Sequence, residues 1–307
     1  MEHFEAIIIG AGSAGLAASV ALARSLRSVL IIDEGQPRNS PALHAHNLLG
    51  QEGSNPLEVL KRGREEAQGY GVKIINGAAT ALTGSLSDGF RVTVDERSYT
   101  CERVVLATGL TDRLPQISGL QHAWGSSAIH CAYCHGWEVR DKELLIIGCG
   151  PMSAHQAMMF QQLSSKVTFI NHDPSELSHE GAAILEALDI PRVDQKVRAL
   201  EFNDSGELTA AKLENGEAIP AHTVVVASRM EANADLFQSM GGVVTDHPLG
   251  TFIGVNDTGA TSIPGVYAVG NASNLGAMVM SAAASGTLAG AAINADLLNS
   301  KLERSKM

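Results

Sequence analysis

The chain has 307 residues, which at roughly 150 residues per domain predicts about two domains, each large enough to bury a core. Its 45% hydrophobic and 18% charged residues, with 31 glycines, make a globular composition rich in tight turns and exclude disorder as the main state. A net charge of −11 and an aromatic content of 4% remove the electrostatic footprint and the stacking platforms of a nucleic-acid or anionic-membrane binder.

The N-terminus, Met1-Glu2-His3-Phe4-Glu5, lacks the basic residues that precede the apolar run of a secretory signal, so a cytoplasmic location is expected. The run Ala6–Ile9 reads as a buried parallel strand. Behind it come a Gly-rich turn, a small-residue helix over 14–26 and a second run, Val29–Ile32, which together make a βαβ unit. Gly10-Ala-Gly12-Ser13-Ala14-Gly15 is a GxGxxG between strand and helix. Its glycines allow a tight turn and a close backbone approach, and the helix N-terminus faces a pyrophosphate. Asp33 closes the second strand, where a carboxylate accepts hydrogen bonds from ribose hydroxyls. His44 and His46 lie in the loop 41–46, where shaping the floor of a site and plain solvation fit the sequence equally well. Alternation in Phe90–Val94 and the run 104–109 predict strands that close the first domain. Cys101 reads as a small packing residue.

His130-Cys131-Ala-Tyr-Cys134-His135 concentrates two thiols and two imidazoles, flanked by Trp124 and Trp137, which either line a cleft or are simply part-buried. With four cysteines in all and no second CxxC, a structural zinc site lacks its remaining ligands, so no metal is expected. Covalent haem attachment through Cys-x-x-Cys-His requires export to an oxidising compartment and sits oddly beside two nucleotide folds. A redox dithiol remains, with the neighbouring His able to take up or return the thiol proton.

Leu144–Ile147 and Val167–Ile170 bracket a second βαβ unit over 148–163, opened by Gly148-Cys149-Gly150-Pro-Met152-Ser153. Cys149 reads as turn packing, and Met152, Met158 and Met159 as helix packing. The segment after the fourth strand, Asn171-His172-Asp173-Pro-Ser-Glu176, holds two carboxylates and no Arg or Lys. A 2′-phosphate needs fixed cationic donors, so the nucleotide-type fold is expected here with weak or absent NADPH use, the alternatives being basic residues that reach in from elsewhere or the use of NADH. Further along, 223–228 predicts a closing strand. The uncharged window 275–293 holds mainly Ala, Gly and Ser, which suits a tightly packed helix rather than a membrane span. Residues 301–307 read as a polar tail.

The chain resembles the low-molecular-weight thioredoxin reductase family of flavoproteins over essentially its whole length. The resemblance rests on the ordered N-terminal GxGxxG, Ala107-Thr108-Gly109, the CxxC just ahead of a second GxGxx(small), and Gly265-Val-Tyr-Ala-Val-Gly270-Asn271. It implies an α/β fold of two Rossmann-like nucleotide-binding domains, the second inserted into the first. An FAD-binding domain over 1–112 and 233–307 would flank an NAD(P)-binding-like domain over 113–232 that carries the CxxC.

Carried over residue by residue, Gly10, Gly12, Ser13, Ala14, Gly15 and Asp33 fall on FAD's adenosine and pyrophosphate. Asn47 approaches the flavin, Thr108 and Gly109 are cofactor-side positions, Gly270 and Asn271 lie near the ribityl phosphate, and Met278 and Val279 lie beside the ring. Cys131, Cys134 and His135 would be catalytic, Cys134 facing the flavin and Cys131 exchanging with substrate. Two departures sharpen the subfamily. Asn271 stands where the family usually has Asp, and His135 where reductases carry Asp, a CxxC-His-Gly pattern similar to the dithiol oxidases of the gliotoxin and holomycin type.

The expectation is therefore an FAD-dependent dithiol-disulfide oxidoreductase, homodimeric, that oxidises a small-molecule dithiol and passes electrons to O2. The alternative is a thioredoxin reductase-type enzyme acting on thioredoxin or a similar protein with NAD(P)H or a ferredoxin-like donor. No nucleic-acid or membrane partner is expected.

Overall fold

A computed structural model describes residues 1–306. β1 (Glu2–Ile9) and β2 (Val29–Asp33) pair in parallel, Ala6 opposite Val29 and Ile9 opposite Ile32. Successive side chains of a strand point to opposite faces, so Ile7, Ile9, Leu30 and Ile32 enter one core while Ala6, Ile8, Val29 and Ile31 enter the other. Burying each Ile or Leu contributes roughly 1.5–3 kcal/mol, which is why these runs stay strands although neither face alternates with polar residues. Strands Lys73–Asn76 and Arg97–Leu106 flank the pair in parallel, and Val266–Ala268 adds to the edge of Arg97–Leu106. The antiparallel strands Ala79–Ser85 and Gly89–Val94 complete this seven-stranded sheet.

The second βαβ unit builds a separate five-stranded parallel sheet. Its order is Arg192–Val193, Val167–Ile170, Leu144–Ile147, Thr223–Val226, Ala128–Ile129, with its own cores on both faces. A three-stranded antiparallel sheet over 197–220 packs beside it. The fold is α/β with two nucleotide-binding-type parallel sheets. The chain passes between them on Leu110–Arg113 and Arg229–Ala232, which pair antiparallel, Arg229 opposite Arg113. At this crossing Arg38 forks onto Asp112 at 2.7 and 2.8 Å, and the Ser228 hydroxyl donates to the same carboxylate at 2.6 Å.

Several expected boundaries shift. The first helix, α1, spans Ser13–Arg24 rather than 14–26, because Leu26 takes a left-handed φ of 60° and ends it. The second unit's helix begins only at Ser153, and the strand expected over 104–109 stops at Leu106. Residues 301–304 are not a tail: the C-terminal helix Val279–Arg304 runs through them and ends with Arg304 on Glu102 at 2.8 Å. Met307 lies outside the described residues. The window 275–293 enters this helix, where a Cβ on Gly286 would sit 2.0 Å from the Ala14 carbonyl oxygen; small residues let it cross α1 backbone to backbone. Among the described residues no helix is long and apolar enough to cross a membrane.

Candidate active site

The first Gly-rich turn is held by contacts with no space for side chains. A Cβ on Gly10 (φ 105°) would lie 2.3 Å from the Ala107 carbonyl oxygen, and one on Gly15 would lie 2.0 Å from the Gly10 oxygen. Gly12 differs, since nothing lies within 4 Å of its Cβ position, and α1 starts there without a side-chain cap. Ser13, Ala14 and Gly15 thus open a helix whose first N–H groups have no partner among the described residues, beside the open space over Gly12, the arrangement a pyrophosphate occupies. The residues fit such a group.

Asp33 sits at the end of β2, accepting from Ala11 N–H at 2.7 Å and Gly35 N–H at 3.1 Å while Arg64 of helix Pro56–Gly69 pairs with it. A carboxylate has about four acceptor positions, so one remains for a ribose hydroxyl. Sequence reasoning missed Arg64; only its helical neighbourhood, not any motif, marks it.

Other predicted positions gather around this turn. Gly270, at φ 64°, brings its loop against the Ala14 methyl. Asn271 donates through Nδ2 to the carbonyls of Asn274, Leu275 and Ala277 at 3.0–3.3 Å, folding the loop ahead of Met278 and leaving Oδ1 as a free acceptor. Val279 begins the C-terminal helix behind Met278. Thr108 and Gly109 are clamped to Asn233: the Thr108 hydroxyl donates to the Asn233 carbonyl at 2.7 Å, and Asn233 N–H donates to the Gly109 carbonyl at 3.1 Å. The Thr108 hydrogen is therefore committed to the chain crossing.

Cys131 and Cys134 form a disulfide across the single helical turn Ala132–His135, with Cα atoms 5.2 Å apart. Asn47, in a left-handed conformation that Asn tolerates, donates through Nδ2 to the Tyr133 carbonyl at 2.5 Å, tying the loop after β2 to the dithiol turn. His135 is half-buried with Nδ1 lacking a partner. Burial lowers its pKa below the ordinary imidazole range, Glu138 opposes that, and His46 adds to it. A neutral imidazole with a free nitrogen is equipped to take a thiol proton.

His130, packed on Trp124 with ring centroids 5.4 Å apart, is pushed down to about 4 by burial first and by Arg38 second. Trp124 is thereby a packing residue, whereas Trp137 is exposed under Arg140. Burial pushes the thiols of Cys101 and Cys149 up to about 12, which disfavours the thiolate form at both.

At the second turn, the N–H groups of Cys149 and Gly150 both donate to the Ser153 hydroxyl, at 3.2 and 3.1 Å. Asp173 is spent on the Ser175 N–H and hydroxyl, and His172 Nδ1 accepts from Val197 N–H at 3.0 Å. Arg192 pairs with Asp194, while Lys196 acts on His172 and Asp173, a cation that the strand-end sequence did not reveal. The cleft lined by Gly150, Asn171, Asp173 and Glu176 encloses about 10 Å³, water-sized space. Met152 stands on this turn, ahead of the helix and exposed, and is not a helix-packing residue.

Comparison with known proteins places this geometry. The sequence profile described as pyridine nucleotide-disulphide oxidoreductase matches residues 4–286. Among relatives, thioredoxin reductase tcpT of Claviceps purpurea is 29% identical, covering 96% of this chain and 94% of its own length. Thioredoxin reductase sirT of Leptosphaeria maculans is 29% identical, covering 99% and 98%. Among solved structures, HlmI superposes with a TM-score of 0.93 at 33% identity, over 99% of this chain and 95% of that one. An oxidoreductase from Agrobacterium tumefaciens gives 0.90 at 31%, over 97% and 99%.

Proposed function

The chain belongs to the pyridine nucleotide-disulphide oxidoreductase family and is a thioredoxin reductase-like oxidoreductase, and we propose that it works as an FAD-dependent dithiol oxidase on a small molecule. The observation that carries the oxidase reading is the second turn. Its backbone donors are taken by Ser153, and its strand end presents Asp173 and Glu176 where a 2′-phosphate would need cations.

In this reading the cofactor rests on Gly10, Gly12, Ser13, Ala14 and Gly15 at the pyrophosphate and Asp33 at the ribose. Asn271, Gly270, Thr108 and Gly109 lie along the chain, and Asn47, Met278 and Val279 lie at the ring. Bound FAD supplies the two-electron acceptor that O2 reoxidises. The domains divide as 1–112 with 233–307 around 113–232.

A substrate thiolate attacks Cys131 Sγ, breaking the disulfide and releasing Cys134 as thiolate. The second substrate thiol then attacks the substrate-side sulfur of the mixed disulfide, so that the substrate leaves oxidised and the Cys131–Cys134 pair stays reduced. His135 takes and returns the proton at the Cys134 sulfur. Cys131→Ser should leave a Cys134 thiolate that gives bound flavin a long-wavelength absorbance band; Cys134→Ser should not, and both should lose dithiol oxidation.

The deciding experiment is anaerobic mixing: a small dithiol bleaches the flavin, while NADPH and NADH at equal concentration bleach it slowly or not at all. Turnover-rate bleaching by NADPH would favour the second reading, a reductase of a thioredoxin-like protein, for which Lys196 is the available cation. A ferredoxin-like donor is the remaining source of electrons for that reading.

We also keep a cytoplasmic location and a homodimer. The outer face of the C-terminal helix supports the dimer with an exposed apolar stripe of Met280, Ala284, Leu288, Ala291, Ala295, Leu298 and Leu302 at three- and four-residue spacing. Leu288→Glu with Leu298→Glu should halve the mass seen by light scattering if that stripe is the interface.

A further inference from the structure

The dithiol turn leans on the helix Ser153–Gln161, which follows the second Gly-rich turn. Ala132 packs against the apolar cluster that holds Ala154, Ala157 and Phe160 of that helix. From the same helix Gln156 reaches the peptide that enters Cys131, its Nε2 donating to the His130 carbonyl at 2.8 Å. Its Oε1 is buried without a partner among the described residues. Turned the other way, the carboxamide would set two acceptors face to face, so the donor alone fixes its orientation. Asn47, from the loop after β2, does the same for the peptide that enters Cys134, through the Tyr133 carbonyl. Each cysteine of the pair thus follows a peptide pinned by a side-chain amide from outside the turn.

The two cysteines are not equally ordered by the turn itself. Cys134 lies within it, where its N–H and that of His135 donate to the Cys131 carbonyl at 3.2 and 3.1 Å. Cys131 is the extended N-cap, φ −111° and ψ 115°, with no side-chain capping bond. When the S–S bond opens, the helical turn still orders Cys134, whereas the dihedral angles of Cys131 are set on their N-terminal side by the His130 peptide. Resting on the reading of this pair as the redox centre, we propose that Gln156 is a positioning residue. It holds the peptide ahead of Cys131 so that the sulfur stays within closing distance of Cys134 when the disulfide is open, and thereby stabilises the disulfide against reduction. The hydrogen bond to His130 costs less ordering entropy on a turn that the disulfide already fixes than on the freer reduced turn. It is therefore stronger in the disulfide form and favours closure by the same amount. When a dithiol reduces the pair, the Cys131–Cys134 bond breaks, an S–S bond forms in the dithiol, and two electrons and two protons pass to the cysteines.

The test equilibrates the FAD-loaded protein anaerobically with mixtures of dihydrolipoate and lipoate at one pH, then counts thiols by maleimide tagging after a denaturing acid quench. With four cysteines in the chain, the count runs from two with the pair closed to four with it open. The flavin is read at 450 nm before the quench. Gln156→Met keeps the length of the side chain and removes the donor; Gln156→Asn keeps the donor and falls one methylene short. Both should make the pair up to about tenfold easier to reduce, about 30 mV less negative, the size of one lost side-chain hydrogen bond. Replacing the exposed neighbour, His155→Ala, should leave the constant unchanged. A packing role would spare Gln156→Met and displace only Gln156→Asn, and a plain need for polarity would do the reverse. Either pattern, or a constant that moves in neither variant, overturns the proposal. If Gln156→Met does not fold, Gln156→Leu, equally without a donor, takes its place. Should the shifts appear while excess dihydrolipoate leaves the flavin of the unmodified protein oxidised, the function proposed above fails and this inference stands. Should the flavin bleach with all constants alike, this inference alone fails.

Discussion

The two Gly-rich turns follow the same plan and end in opposite chemical states. At the first, α1 begins without a side-chain cap, the space over Gly12 is open, and Asp33 keeps an acceptor position free. At the second, Ser153 occupies the donors from inside, and Asp173 caps its own loop through Ser175. A hydroxyl that accepts two backbone N–H groups does locally what a phosphate oxygen would do, so the second turn is complete in itself. The same turn can therefore be closed from within by one side chain or left open to a ligand.

The largest expected effect separates the turns sterically. Gly15→Val drives a side chain into the Gly10 carbonyl and should abolish retained FAD, read as 450 nm absorbance after desalting. At Gly150 an added Cβ meets only the Ala227 methyl at 3.5 Å, so Gly150→Ala should keep FAD and cost less than about 1 kcal/mol in a urea melt. If Gly150→Ala also loses FAD, the second turn is coupled to the first in a way the contacts do not explain.

Acid should act through the half that carries the dithiol. His130 titrates near 4 in the folded protein against 6.5 ordinarily, so between those values the unfolded chain binds a proton that the folded one refuses. Its contribution is full above about pH 6.5 and is lost as pH falls towards 4, on the order of 3 kcal/mol for this deeply buried ring. Urea melts at pH 7 and pH 4.5 should differ less in His130→Gln; an unchanged difference would assign the acid lability elsewhere.

Asp33, at the end of β2, and Asp173, three residues past the strand Val167–Ile170, give a smaller contrast. Asp33→Ala removes charged hydrogen bonds worth about 1.5–3 kcal/mol and should weaken FAD binding by about 10–100-fold, whereas Asp173→Ala should leave FAD content unchanged. Equilibrium dialysis with FAD would measure both. The smallest effect tests whether the second turn can be reopened. Ser153→Ala with Asp173→Arg frees two N–H donors and supplies a cation, and should tighten NADPH binding by about 10-fold in a fluorescence titration. No gain would mean that the enclosed cleft, not its charge, excludes the nucleotide.

Much of this was legible from the chain alone. Runs such as Ala6–Ile9 and Leu144–Ile147 are apolar on both faces, which only a strand covered on two sides accommodates. The missed ends have one local and one distant cause: Leu26 enters the left-handed region, and Arg304 finds Glu102 far away in sequence, so the helix continues where the composition reads as a tail. Arg64 escaped notice as a site residue because it belongs to no spacing pattern, and for the same reason the sequence leaves His46 open between the floor of a site and a solvated loop.

The order of strands, turns and helices, the glycines of the first turn and the cysteine pair were settled by the sequence itself, because short-range sterics and side-chain alternation act between residues close along the chain. Which donors stay free and which charges meet was decided only in the folded molecule. Arg64 reaches Asp33, Asn47 reaches the Tyr133 carbonyl, His46 reaches Glu138, and Gly286 lets the C-terminal helix touch Ala14. Such pairings depend on distances set by the packing of whole sheets, which no local stretch of sequence encodes.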